Sequence, residues 1–380
     1  MKYIHYFGTE AAYNQERNNN YIEPWVSYTV GKGIDYNKVG GSEQEEDYSV
    51  YLEMPFTIEA LGSGEISWDL GELTVEYSKN NGPWITMDSE TTISVVQGDE
   101  IAFLGENNMY SYYDDNDEEY FSRSLASSAQ FNAKGNIMSL TDGDNFENAS
   151  SVDDFAFFEL FFSSPIVSAK YLMLPADSLS NSCYYQMFMN CTNLVYPPKL
   201  PATELMNYCY SSMFQGCSAL LTAPDLPATT LATSCYYCMF EGCGSLVSAP
   251  ELPATTLESY CYSSMFRDCT NLEEAPELPA TTLELGCYSG MFRGCTSIEE
   301  SPVLPATTLV GSCYNNMFRS CSSLSRITAM FTTTPGTTYT NGWVNGVAAS
   351  GIFIKNAAAT WTTTGVSGVP TGWTVQTASE

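Results

Sequence analysis

The chain has 380 residues, and its content of 44% hydrophobic and 13% aromatic side chains excludes a disordered polymer. Its 44 acidic residues outnumber its 14 basic residues, so the formal net charge is −30 at pH 7. Nucleic acids and anionic membranes attract basic surfaces, and this charge therefore argues against both as partners. The sequence has no run of about 18 apolar residues, so we expect no membrane insertion.

Residues 1–48 carry many aromatic side chains among polar ones, and we predict an arm that packs against another surface, because a solvated tail rarely carries so many rings. The N-terminal residues contain no apolar run that could form the core of a signal peptide, so ordinary secretion is not expected. The segment YIEPWVSYT at residues 21–29 resembles the opening of structural and surface proteins encoded by phages and prophages of gut Bacteroidales. The candidate attachment residues of this arm are Tyr3, Tyr6, Phe7, Tyr21, Trp25 and Tyr28.

Residues 49–135 alternate apolar and polar side chains, as strands with one buried face do. Phe56, Ile58 and Ala60 give one such alternation, and turn residues separate it from the next. We predict a small all-β sandwich here, with a hairpin around an Asn81-Gly82 turn. Acidic clusters at residues 114–119 and 142–147 do not follow the ligand order of the twelve-residue calcium loop, so we predict two solvated loops.

Residues 136–168 are predicted to cap the array that follows. Their aromatic residues would cover the first edge of that array, which would otherwise invite aggregation. The residues concerned are Phe155, Phe157, Phe158, Leu160, Phe161 and Phe162.

Residues 169–327 hold six copies of one motif at a fixed spacing of 26 residues. A period of roughly 20 to 29 residues with one apolar set per copy is typical of a leucine-rich-repeat-like solenoid, whose units bury their apolar faces by stacking. A Leu-Pro-Ala triplet begins at Leu174, Leu200, Leu226, Leu252, Leu278 and Leu304, and a Cys-Tyr pair begins at Cys183, Cys209, Cys235, Cys261, Cys287 and Cys313. A Met-Phe pair and a second cysteine follow each Cys-Tyr pair.

Within one copy, Leu283, Cys287, Met291 and Cys295 lie four residues apart, which is the apolar stripe of a short amphipathic helix. Residues 296–304 are short and interrupted by a proline, and they suit one strand. Each copy is therefore predicted to be strand, turn and helix, with parallel strands about 4.8 Å apart. The predicted fold class is mixed β/α, a leucine-rich-repeat-like solenoid of six 26-residue repeats preceded by a small all-β sandwich.

The repeat motif also carries a family resemblance. The segments MFQGCSAL, MFEGCGSL and MFRGCTSI at residues 213–220, 239–246 and 291–298 resemble the BspA-type leucine-rich repeats of surface proteins from anaerobic gut and oral bacteria. Those repeats usually read Ala-Phe and Ile-Pro, whereas this chain has Met-Phe and Ala-Pro or Ser-Pro, with an additional Cys-Tyr pair. The resemblance implies a solenoid that serves as a binding scaffold.

Thirteen cysteines raise the question of disulfides or a metal site. Cysteines eight residues apart on a helix lie about 12 Å apart, and adjacent helices pack roughly 8 to 10 Å apart, whereas a disulfide needs Cα atoms within about 7 Å. Only Cys235 and Cys238 form a Cys-x-x-Cys pair, and His5 is the single histidine. We predict that twelve cysteines are small buried apolar residues, that Cys238 is exposed, and that no metal or cofactor is bound.

Residues 328–380 lack the repeat motif and are predicted to form a small C-terminal capping module. Trp343, Phe353, Trp361 and Trp373 lie among glycines and threonines, which suits short strands that close the end of the array. The segments GIFIKN and GVPTGW resemble the C-terminal module that often follows such repeats. Stacking of these aromatic residues on sugars is the alternative.

The sequence contains no nucleophile elbow, no phosphate-binding glycine loop and no cysteine with a histidine partner, so we predict that the chain is not an enzyme. Positions around the Ala-Pro or Ser-Pro pair vary while the frame of the repeat is fixed, and such variation suits a recognition surface. A plain solvated face is an alternative of equal weight. The candidate binding residues are Tyr196, Asp225, Glu251, Glu273, Glu274, Glu277, Glu299 and Glu300.

Two hypotheses about function follow. The first is a non-enzymatic virion structural protein, a fibre or decoration protein whose arm attaches to the particle and whose solenoid faces a host-surface ligand. The second is a bacterial cell-surface adhesin or carbohydrate-binding protein. Both hypotheses predict protein or glycan partners and either a homo-oligomer or a larger assembly.

Overall fold

A computed structural model describes residues 48–110 and 123–378 in full, and the strand backbones at 4–7, 27–30, 112–114 and 119–121. The first compact unit, Met1–Asp47, contains strands β1 (Ile4–Phe7) and β2 (Ser27–Val30), which pair in parallel. Three candidate attachment residues, Tyr6, Phe7 and Tyr28, belong to these strands. The other three, Tyr3, Tyr21 and Trp25, lie outside the described residues.

The second compact unit, Tyr48–Glu380, begins with helix α1 (Ser49–Leu52) and a two-sheet β region. Its strands are β3 (Thr57–Ala60), β4 (Gly64–Trp68), β5 (Val75–Lys79), β6 (Ile85–Met87), β7 (Thr92–Val95), β8 (Glu100–Gly105), β9 (Tyr112–Asp114), β10 (Glu119–Phe121), β11 (Leu125–Ser127), β12 (Phe131–Asn136) and β13 (Ile166–Met173). One sheet has the order β13-β12-β3-β8-β5-β6, and a second has the order β11-β4-β7. The strands β9 and β10 form a separate antiparallel hairpin.

The two larger sheets share one core. Trp68 on β4 packs edge-on against Phe103 on β8, with ring centroids 5.8 Å apart. The predicted alternation is confirmed, because Ile58 and its apolar partners in that alternation are buried. The predicted hairpin is also confirmed by the pairing of β5 with β6. Its turn is centred on Asn80 and Asn81, with φ of 53° and 57°, one residue before the predicted centre, and asparagine tolerates this left-handed conformation.

Two 3₁₀ helices, Ile137–Leu140 and Gly143–Asn148, follow β12, and the second contains most of the acidic cluster that was predicted to be a loop.

The predicted cap then joins the sandwich to the repeats. The ring of Phe161 lies 5.7 Å from that of Phe56 in the sandwich and 5.1 Å from that of Phe188 in the first repeat. The hydrophobic core is therefore continuous from one region to the other.

The helix predicted for each repeat is wrong, because a run of consecutive tight turns takes its place. The left-handed region holds every fourth residue of this run, for example Ser182, Gln186 and Asn190, with φ of 53°, 55° and 60°. Residues in the left-handed region interrupt a helix. Buried residues recur at every fourth position both in a helix and in this run of turns, so the apolar stripe did not distinguish the two structures. We call this segment the turn ribbon. Turn ribbons span residues 155–163, 182–190, 208–216, 234–242, 260–268, 286–294, 312–320 and 338–346.

Backbone hydrogen bonds join each turn ribbon to the next one. The N–H of Tyr184 donates to the carbonyl of Cys209 at 3.1 Å, one repeat further along the chain. The next N–H, that of Tyr185, donates to Ser182 within its own ribbon, also at 3.1 Å. Because this alternation continues along the ribbon, buried donors find acceptors without a helix or an extended strand.

The predicted strand of each repeat is mostly reduced to one bridge residue. Parallel bridges join Ser168 to Tyr196, and Thr222 to Ser248 and then to Glu274. Proline has no N–H to donate and interrupts a ladder. The prolines that follow the bridge residues are Pro197, Pro224, Pro250 and Pro276.

The stacked arrangement continues beyond Ile327, where the sequence motif stops. Strands β14 (Glu300–Leu304), β15 (Arg326–Ala329), β16 (Ile352–Lys355) and β17 (Thr374–Thr377) form one parallel sheet in chain order. The step from Glu300 to Arg326, and from Arg326 to Ile352, is the same 26 residues as in the repeats. The ring of Trp343 contacts that of Phe318 at 6.1 Å, so the tail extends the core of the array.

Three columns of side chains fill the core of the repeats. In one column, tyrosine rings from Tyr184 to Tyr314 stack nearly parallel at 5.8 to 6.0 Å, once per repeat. A phenylalanine column runs from Phe161 to Phe318. In the third column, the second cysteine of each repeat donates its S–H to a phenylalanine carbonyl of the preceding turn ribbon, as Cys243 does to Phe214 at 3.2 Å.

All thirteen cysteines are free and buried. The prediction of small buried residues is therefore confirmed for twelve of them. The prediction that Cys238 is exposed is wrong, since only 5% of it is accessible. This residue lies within a turn ribbon, where its thiol contacts the side chains of Tyr237 and Glu241.

Candidate binding faces of the repeat stack

The predicted binding residues lie on one face of the array, which we call the bridge face. It comprises the exposed positions within residues 195–199, 221–225, 247–251, 273–277 and 299–303. Tyr196 is half-buried, and the seven acidic residues are exposed. Tyr196, Glu274 and Glu300 occupy the bridge position, and Glu273 and Glu299 precede it. The remaining three residues are Asp225, Glu251 and Glu277, which occupy one equivalent position in consecutive repeats.

These last three carboxylates form what we call the acidic column. Neighbouring repeats are joined here by direct backbone hydrogen bonds, such as Glu273 N–H to the carbonyl of Val247 at 3.2 Å, so equivalent Cα atoms are about 4.8 Å apart. Within the described residues, no ion pair involves any member of the column. Like charges at this distance repel one another, so the column is a site of unrelieved negative potential.

The positive charges near the bridge face lie at its two ends, and each contacts another side chain there. Lys199 occupies the position of the acidic column in an earlier repeat, and its Nζ lies 3.5 Å from the centroid of the Tyr48 ring. Arg326 Nε lies 3.9 Å from Glu300 Oε2, and both side chains are well exposed, so this pair contributes little. The middle of the bridge face therefore remains acidic.

The exposed and half-buried positions of the turn ribbons form a second face, which we call the turn face, and it carries an arginine column that was not predicted from the sequence. Arg267, Arg293 and Arg319 occupy the same position in consecutive turn ribbons. Arg267 Nη1 pairs with Glu241 Oε1 of the preceding repeat at 3.2 Å. Within the described residues, no carboxylate pairs with Arg293 or Arg319. The signal was available, because the three arginines are 26 residues apart in the sequence.

Exposed apolar side chains lie at or just before the beginning of three turn ribbons. Tyr208 and Tyr260 are 45% and 38% accessible, and Leu285 is 42% accessible. The ring of Tyr260 lies directly over Gly286, where a Cβ atom would overlap it. This glycine therefore makes room for the exposed ring.

The described residues offer little for chemistry. They contain no group of three histidine, cysteine or acidic side chains that could hold a metal ion, and no helix long and apolar enough to cross a membrane. Burial raises the pKa of the cysteine thiols, to about 12 for Cys209 and Cys321, which disfavours the nucleophilic thiolate. A cavity of about 220 Å³ beside Val344, Val366 and Pro370 is lined without any titratable side chain.

Comparison with known proteins adds no relative. No family model, no curated protein and no solved structure matches the chain.

Proposed function

We propose that the chain is a non-enzymatic virion structural protein, a fibre or decoration protein of a phage, built around a leucine-rich-repeat-like solenoid that recognises a surface. The observation that carries the proposal is the division of each repeat into a fixed core and a variable exterior. Core positions repeat almost without change from Tyr184 to Tyr314. The exposed positions of the bridge face change from Tyr196 to Thr222, Ser248 and Glu274.

Such a division suits a scaffold that presents a surface, because the core sets the geometry and leaves the exterior free to vary. The acidic column favours a partner with a basic surface, or one bridged by cations, at the bridge face. The absence of a motif for catalysis, together with buried and protonated thiols, supports a binding role over an enzymatic one. The aromatic residues of the first 48 positions remain the proposed attachment arm.

Mass spectrometry of purified phage particles, compared with washed cell surfaces from the same culture, tests the proposal. We expect the chain in particles at a fixed ratio to the major capsid protein. Detection on cells and not in particles would instead favour the bacterial adhesin. A variant without residues 1–47 should be absent from particles, because the arm is the proposed attachment.

A further inference from the structure

Two columns of opposite charge run along this molecule with the same length and spacing. The acidic column has members at 225, 251 and 277, and the arginine column has members at 267, 293 and 319. Backbone hydrogen bonds join neighbouring repeats directly on both faces, as Glu273 to Val247 on the bridge face and Phe240 to Met265 on the turn face. The spacing of the charges along the two columns is therefore set by the same stacking distance.

Each column alone is unfavourable. Glu251 and Glu277 carry like charges one repeat apart, and so do Arg293 and Arg319. The first member of the arginine column is already paired, since Arg267 contacts Glu241 of the preceding repeat at 3.2 Å and Asp268 of its own turn ribbon at 3.4 Å. The repulsion within the acidic column, and that between Arg293 and Arg319, can be relieved by a partner of opposite charge and equal spacing.

We propose that this partner is a second copy of the chain, with the arginine column of one copy docked on the acidic column of the next. Arg293 and Arg319 then face Glu251 and Glu277 in register, because the spacing along both columns is one repeat. The two columns lie on different faces of the same repeats, so the contact is head-to-tail and leaves a free column on each outer copy. Such a contact extends into an open row of copies.

The predicted contact is weak and depends on salt. Its ion pairs join half-buried arginines to exposed carboxylates at the surface, and each contributes little. The net charge of −30 opposes association at low ionic strength. At about 0.15 M salt the Debye length falls to about 8 Å, which screens distant repulsion more than contacts between adjacent charges. Association should therefore be strongest at intermediate salt and weaken at about 1 M.

This inference names a partner for the face used in the proposed function, and to that extent it rests on it. Its test needs only the purified full chain, so a chain that associates but is absent from particles would overturn the virion proposal alone. A chain found in particles that does not associate would overturn this inference alone.

Sedimentation velocity of the full chain, over a wide concentration range at about 0.15 M salt, is the first measurement. We expect a weight-average mass that rises with concentration. In R293A/R319A and in E251A/E277A, the concentration needed for association should rise about tenfold, as expected for the loss of two surface ion pairs. The matched control is E258A/E284A, which removes two carboxylates one repeat apart outside the bridge face.

Mixing the two alanine variants provides the decisive test. Each retains one intact column, so an equimolar mixture should form 1:1 dimers and nothing larger. A single chain with both columns reversed, R293E/R319E/E251R/E277R, should associate again. A wild-type chain that stays monomeric throughout, variants that associate as the wild type does, or a control that loses association equally would each overturn the inference.

Discussion

The sandwich and the repeat array bury similar aromatic cores but satisfy their backbones in different ways. In the sandwich, each strand has its own neighbours; β12, for example, pairs with β13 on one side and with β3 on the other. In the array, each turn ribbon repeats the same two hydrogen bonds, one within the ribbon and one to its neighbour. A β-rich molecule therefore does not need extended strands throughout, provided that each buried N–H finds an acceptor.

The largest expected effect distinguishes the two regions by thiol chemistry. Every cysteine lies between Cys183 and Cys321, so thiol reagents report on the array and not on the sandwich. Burial raises the pKa of Cys209 to about 12, so its thiolate population at pH 8 is roughly three orders of magnitude below that of an exposed thiol. We expect negligible reaction with Ellman's reagent in the native protein and thirteen reactive thiols in guanidinium. A fast-reacting class under native conditions would contradict the buried columns.

Truncation of a ring in the middle of the phenylalanine column should have the next largest effect. Phe240 is fully buried between Phe214 and Phe266, at 5.6 Å from each ring. We expect Phe240→Ala to lower the free energy of unfolding by about 3 to 5 kcal/mol, through lost burial and a residual cavity. Urea denaturation followed by circular dichroism measures this change.

The control for that prediction is Phe240→Leu, which keeps most of the buried volume. It should cost less than about 1.5 kcal/mol. Equal losses for the two variants would mean that the stacked ring geometry, and not burial, stabilises the array.

Substitution of one left-handed glycine in each region compares the stability of the two regions directly. Gly135 in the sandwich has φ of 82°, and a Cβ atom there would overlap the carbonyl oxygen of Pro55. Gly242 in the array has φ of 76°, and its nearest atom would be 3.7 Å away, in Gly216. We expect Gly242→Ala to cost about 1 kcal/mol from backbone strain alone. Gly135→Ala should cost clearly more. Thermal denaturation of the two variants measures both losses of stability, and equal losses would refute this ranking.

The smallest effect concerns a single carboxylate of the sandwich. Hydrogen bonds from Lys79 and Asn80, with one from the N–H of Val96, lower the pKa of Asp99 to about 2. A lowered folded-state pKa stabilises the protein above the unfolded value near 3.9, and this contribution is lost as the pH falls towards 2. Asp99→Asn should therefore reduce Tm at pH 6 and flatten the decline of Tm between about pH 4 and pH 2. Glu90→Gln, an exposed carboxylate of the same sandwich, is the control and should leave that decline unchanged.

The sequence predicted the period of the array and much of the sandwich because both follow from side-chain spacing. The alternation through Phe56 and Ile58 defined a strand, and the 26-residue step correctly grouped Tyr184 with Tyr210. The helix was wrong because Cys183, Met187 and Cys191 have the same spacing in a helix and in a turn ribbon. The deciding residues were those that precede each buried position, where Asn190 and Gly216 tolerate the left-handed region better than most residues do. Ser182 and Gln186 adopt the same conformation without such a preference, so their identity gave no signal.

The extension beyond Ile327 and the arginine column escaped prediction for other reasons. The strands β15 and β16 keep the step of the array through backbone pairing, which leaves little trace once the Leu-Pro-Ala motif ends. The arginines of the column recur at 26-residue spacing, but they lie outside the variable positions near the Ala-Pro pair that indicated a recognition surface. The exposure of the acidic residues could be predicted from their charge alone.

The turn ribbons allow the array to gain or lose residues only in whole periods. Because each ribbon donates to its successor with the same atoms, removal of residues 233–258, one whole period, would bring equivalent donors and acceptors together again. A deletion of 13 residues, half of that period, would instead place left-handed positions against buried rings. Insertions and deletions in the array therefore have permitted sizes, and each added or removed period lengthens or shortens the surface by about 4.8 Å.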